Sequence, residues 1–171
     1  MLTRSAKKKA RALQNRVARD LAKVTGLKYG RPDADDCDVK GRQMGMIGVD
    51  IVRLTPEAME RIPFFIEAKA RESWTFSHHL LTGKAQSPLV GWYRAAERAA
   101  KKEQRRDQDT PLLVVSQNRC PPLVVTEYGP VALVLRNVPG DVSYVRLKTP
   151  VGVLVILDWR AFLACWYGRR P

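Results

Sequence analysis

At 171 residues and 45% hydrophobic composition, the chain can bury one core of ordinary size and is too short for two comfortable domains, so residues 1–171 read as a single domain. Thirty Lys and Arg against seventeen Asp and Glu give a net charge of +13 and a pI near 10.1, which argues against an enzyme of neutral metabolites and for a polyanionic partner. A membrane is disfavoured, because the longest wholly apolar run, Val151–Leu157, falls far short of the roughly 20 residues that span a bilayer.

No apolar segment follows the N-terminal lysines, so no secretory signal is expected. Cys37, Cys120 and Cys165 are odd in number and form no CxxC pattern, which reads as reduced thiols in a cytoplasmic protein.

The stretch "SAKKKARALQNRVARDLAKVTG" carries Leu13, Val17, Leu21 and Val24 at helical spacing, with Gly26 as a stop. Lys8, Arg11, Asn15, Arg19 and Lys23 gather on the opposite side, as a solvated charged face or one that meets phosphates. Tyr29 to Gly45, rich in Gly, Asp and Arg without periodicity, reads as a long loop. "GVDIVRL" then reads as a strand, and "TPEAMERI" as a short helix with Thr55 as N-cap and Pro56 at its first position. "FFIEAKA" follows as a second strand, most simply a hairpin partner of the first.

"GWYRAAERAAKKEQRR" places Trp92, Ala95, Ala96, Ala99 and Ala100 on one face of a second amphipathic helix suited to packing on a sheet. "PLLVVSQN" is almost wholly apolar, which predicts a central strand. "LVVTE", "VALVLR", "VSYVRL" and "VGVLVIL" read as further strands, and "DWRAFLACW" as a closing helix. The sum is an α/β fold with a central mixed sheet flanked by helices. Residues 121–150 read as inserted β-hairpins.

Two positions disturb this apolar pattern. In "FFIEAKA", Glu67 and Lys69 fall on one strand face, with Ile66, Ala68 and Ala70 on the other. Asp50 interrupts "GVDIVRL", and a hairpin would bring it near that pair. Buried carboxylates are costly unless a cation or hydrogen bonds compensate them. Mg²⁺, which binds through one or two carboxylates plus water and phosphate oxygens, would supply that compensation. Lys69 beside it could orient a nucleophile and stabilise transition-state charge. With a basic surface, this describes a metal-dependent nuclease. The alternative is a turn-capping Asp50 and a partly exposed ion pair on an edge strand.

Asp50 followed by Glu67-Ala68-Lys69, on successive strands after an initial helix, resembles the PD-(D/E)XK nuclease superfamily. The segments "ARALQNRVARDL", "RQMGMIGVDIV", "PFFIEAKARESW" and "TPLLVVSQNR" resemble the archaeal-type Holliday junction resolvases and their phage-encoded relatives, over roughly Lys7 to Arg119. The resemblance implies a restriction-endonuclease-like sheet, here with extra C-terminal β-hairpins, and a homodimer acting on four-way DNA junctions, in the host cytoplasm if phage-encoded. It implies Asp50, Glu67 and the Ala68 carbonyl as ligands of Mg²⁺, with Mn²⁺ substituting, and Lys69 as the catalytic lysine. Arg42, Gln43 and Met44 would lie near the scissile phosphate, and Lys8, Arg11, Arg19 and Lys23 would hold the DNA backbone.

Two positions depart from the pattern. Val49 stands where the superfamily name has proline, and Gln14 aligns with the first-helix glutamate of the archaeal enzymes. Gln14 falls on the inward half of its helix, where it could hold a metal-bound water or serve as a polar packing residue. Two other readings stay open: a DNA-binding protein without catalysis, and a nuclease of ordinary duplex or ends. The adjacent His78 and His79 do not share a face and suit no zinc pair, whereas Trp74 and Phe76 suit either the core or base stacking.

Overall fold

Helix α1 spans Arg4–Thr25 and buries Leu13, Gln14, Val17, Ala18, Leu21, Ala22 and Thr25. The computed structural model describes residues 4–43, 48–71, 87–103, 110–118, 120–136 and 142–168. Gly26, at φ 72°, turns the chain out of α1, and a side chain there would be strained. Val24 departs from the predicted stripe and is 41% exposed, lining a cavity it shares with Trp166 and Tyr167.

Tyr29 to Gly45, expected as irregular loop, contributes two short strands, β1 (Tyr29–Gly30) and β2 (Val39–Gly41). β3 (Ile51–Arg53) pairs antiparallel with β2, which pairs parallel with β1. This small sheet packs on α1 beside its basic flank, which stays exposed at Lys8, Arg11, Arg19 and Lys23. Arg19 accordingly stacks over Tyr29 at 5.7 Å. Asn15 lies against Gly41, where a Cβ would come within 3.0 Å of Asn15 Oδ1.

Helix α2 (Pro56–Arg61) follows the predicted capping, with Thr55 Oγ1 accepting from Ala58 N at 3.2 Å and Pro in its first turn. Next come β4 (Phe64–Arg71), α3 (Pro88–Glu103) and β5 (Thr110–Gln117). They continue into β6 (Leu123–Glu127), α4 (Tyr128–Arg136), β7 (Tyr144–Thr149), β8 (Gly152–Asp158) and α5 (Trp159–Tyr167). The second sheet has the order β4-β5-β6-β8-β7, parallel between β4 and β5 and antiparallel elsewhere.

Central position explains the apolar strands. In β5, Leu112 and Val114 join the core under α1 and α5, while Leu113 and Val115 join the core under α3 with Leu89 and Tyr93. Each of these strand residues is fully buried, at roughly 1.5–3 kcal/mol of hydrophobic stabilisation apiece. In α3 the buried residues are Leu89, Val90, Tyr93, Ala96 and Ala100, and the predicted Trp92 and Ala99 are half-buried beside them.

Three strand expectations need correction. "VALVLR" is helical: Tyr128, Val131 and Leu135 recur at spacings of three and four and pack on the core, while Leu133 is 70% exposed. Pro130 is tolerated there because first-turn N–H groups have no intrahelical acceptor. The stretch expected as inserted hairpins supplies β6 to the middle of the large sheet. Finally, β3 and β4 are not ladder partners but belong to different sheets, joined where Asp50 N–H donates to Ile66 O at 3.0 Å. Among the described residues, no helix is long and apolar enough to cross a membrane.

Candidate active site

β4 is an edge strand of its sheet, and its two faces differ. Phe64, Ile66 and Ala68 point into the core beneath α1 and α5. Phe65 points to the other side, against Ala99 and Ala100 of α3. By strand alternation Glu67, Lys69 and Arg71 share the face of Phe65. Lys69 Nζ pairs with Glu67 Oε1, and the two side chains are 27% and 13% exposed. Such limited exposure keeps water from fully screening the pair.

Asp50 reaches β4 from its open edge. Gly48, at φ 124°, turns the chain into Val49 and Asp50. Asp50 Oδ2 accepts from Ala68 N–H at 2.7 Å, and its Oδ1 accepts from Gln14 Nε2 of α1. Arg42 brackets the same segment: its N–H donates to Asp50 O at 2.7 Å, and its Nε to Val49 O at 2.5 Å. Burial pushes the Asp50 carboxyl above its ordinary value. The Ala68 N–H, the Lys69 charge, the Gln14 amide and Arg42 pull in the opposite direction without cancelling it.

Asp50, Glu67, Lys69 and Gln14, remote in sequence, thus meet at one edge, with Ala68 between the acids and Arg42 alongside. Lys8, Arg11, Arg19 and Lys23 are all exposed along α1, Arg19 also stacking over Tyr29. Met44, Trp74, Phe76, His78 and His79 lie outside the described residues. Sequence reasoning passed over Gly41, whose missing Cβ lets β2 approach Gln14 and Asn15 closely, and Arg71, whose guanidinium stacks over Trp92 at 5.2 Å. The alternation that singled out Glu67 and Lys69 extends to Arg71 two residues on, and was the available signal.

The donor set suits a hard cation. Glu67 lies on β4 next to Ala68, the residue whose N–H donates to Asp50. The Asp50 carboxylate also accepts from Gln14, whose Oε1 is a buried oxygen without a hydrogen-bond partner. Such an orphaned acceptor needs a donor or a cation. Among the described residues, no group of three or more His, Cys, Asp or Glu surrounds one point, so any ion here would have to make do with the two acids and neutral oxygens. That is the sparse set Mg²⁺ accepts, not the closed cage of a structural metal.

An aspartate docked at the edge of a strand carrying Glu-x-Lys, in a mixed α/β fold, defines the class of PD-(D/E)XK nucleases. The family model described as phage putative PDDEXK endonuclease matches residues 5–159, and the chain belongs to this family. No curated protein and no solved structure matches it.

Proposed function

We propose that this chain is a Mg²⁺-dependent DNA endonuclease that resolves four-way junctions, working as a homodimer so that two sites nick symmetrically. The observation that carries the reading is the meeting of Asp50, Glu67 and Lys69 beside the orphaned Gln14 oxygen. The net charge of +13 supports a nucleic-acid substrate, and the resemblance to junction resolvases supports the branched form.

Asp50, Glu67 and the Ala68 carbonyl would hold the ion, with Mn²⁺ substituting. Bound there, it would activate water and neutralise charge on a phosphodiester. Ala68 N–H and Gln14 fix the Asp50 carboxylate in place. Lys69, within reach of both acids, positions the attacking water and meets the negative charge that grows on the phosphate. Gln14 Oε1 accepts a hydrogen bond from water at the site. Arg11 and Lys8, about one and two turns before Gln14 on α1, hold the backbone together with Lys23, Arg19 and Arg42.

The deciding experiment compares a labelled four-way junction with a matched linear duplex, in Mg²⁺ and in EDTA, for wild type and Lys69→Ala. Paired nicks on the junction alone, lost with EDTA and with the substitution, are expected. Equal cutting of the duplex would leave a nuclease but overturn the junction specificity. Tight DNA binding with no cutting in either metal would overturn the enzyme in favour of a binding protein.

A further inference from the structure

We propose that Arg71 grips the phosphate next to the scissile one, a role that rests on the endonuclease reading above and extends its substrate contacts along β4. Glu67, Lys69 and Arg71 form a row on one face of β4, and successive members are about 6.6 Å apart along a strand. That spacing is close to the step between neighbouring phosphates on one DNA strand. A backbone running along the row would therefore meet Lys69 at one phosphate and Arg71 at the next.

The arrangement of Arg71 suits this task better than a purely structural one. Its guanidinium lies over the Trp92 ring at 5.2 Å, a cation–π contact that holds the group in place. Arg71 is half-buried, and no carboxylate pairs with it among the described residues. A planar fork held against an aromatic ring is pre-organised to bind a phosphate through two parallel hydrogen bonds. α3 supplies the rest of the wall, since Phe65 at the far end of the row packs on Ala99 and Ala100.

The test pairs Arg71→Gln, which keeps part of the stem, with DNA carrying a single neutral methylphosphonate at each position around the cut. Arg71→Gln should lower kcat/KM about tenfold, as expected for one charge-assisted phosphate contact, with Arg71→Lys recovering part of it. Neutralising the phosphate adjacent to the cut should cost wild type a similar factor and cost the variant nothing further. At every other position the two losses should multiply.

Multiplication at all positions would overturn the role. In parallel, the slope of log Kd against log salt should fall by about 0.9 for the variant. An unchanged slope would overturn the inference even if the enzyme cuts. Absence of cutting by wild type, with the slope still reduced, would sink the endonuclease reading and leave Arg71 as a phosphate contact. A melting temperature for Arg71→Gln close to wild type separates these effects from misfolding.

Discussion

At one edge of the five-stranded sheet, the backbone of β4 is met by Asp50, which donates its N–H to Ile66 O and accepts from Ala68 N–H. At the other edge, β7 exposes Tyr144 and Val145 at 38% and 42%, interleaved with Arg146 and Lys148. Both edges must avoid pairing with a foreign strand. The β7 edge does so with two cations among its exposed positions. At β4 a carboxylate occupies the ladder position itself, so the group that blocks the edge is also the group that could carry chemistry. Placing an acid there is costly, as the raised Asp50 carboxyl records, and a cost of that kind is what singles this edge out as the candidate site.

The contrast can be broken by substitution. Lys69→Ala should lower cleavage by about 10²–10³-fold with little change in fold, measured by single-turnover kinetics on the preferred substrate. Retained activity would separate the β4 edge from catalysis. Asp50→Asn should abolish cleavage yet raise the melting temperature of metal-free protein by about 2–4 °C, the equivalent of about 1 kcal/mol at this size. The gain arises because the substituted side chain keeps an oxygen that accepts from Ala68 N–H, and its new amide can donate to Gln14 Oε1 once Gln14 flips.

The pH dependence has a defined sign. Because folding raises the Asp50 carboxyl above its ordinary 3.8, the folded state holds that proton more tightly than the unfolded one. Metal-free wild type should therefore lose stability as pH rises from 3.8 through the folded value, and Asp50→Asn should flatten that loss in thermal melts.

Gly41→Val should cost about 1–3 kcal/mol, because even a Cβ would stand 3.0 Å from Asn15 Oδ1. It should also slow cleavage by shifting α1 and Gln14, which a urea titration beside an activity assay would separate. Val145→Lys, on the β7 edge, should change stability by no more than about 0.5 kcal/mol and leave cleavage unaltered. A large loss of activity there would mean that both edges serve the reaction.

The sequence made some of this visible for identifiable reasons. Thr55-Pro56 announced α2 because a capping hydroxyl and a first-turn proline act within four residues. The unbroken apolar run of β5 announced a strand buried on both faces. Glu67 and Lys69 were legible because alternation in a strand is strict. The position of Asp50 was only half legible: it does lie near Glu67, but by way of a separate sheet and not a hairpin, a difference set by contacts far apart in the chain. α4 was misread because Val, Leu and Val favour strands on propensity alone, and packing beneath Tyr128, Val131 and Leu135 overrode it. Of the predicted basic flank, Lys8, Arg11, Arg19 and Lys23 are exposed as expected, and Asn15 alone is partly covered, because a helical wheel cannot know that β2 will pass close by at Gly41.

The tie between the first and last helices bears on how the molecule is made. Trp159 Nε1 donates to Asp20 Oδ2 at 2.9 Å across 139 residues, and Phe162 and Leu163 of α5 share one core with Val17 and Leu21 of α1. The helix that delivers Gln14 is synthesised well before α5, which supplies part of the surface that holds it. Contacts of such long sequence separation slow folding. A nascent chain thus carries its basic α1 before the cutting edge is complete, and competence to cleave is expected to arise only after α5 has docked.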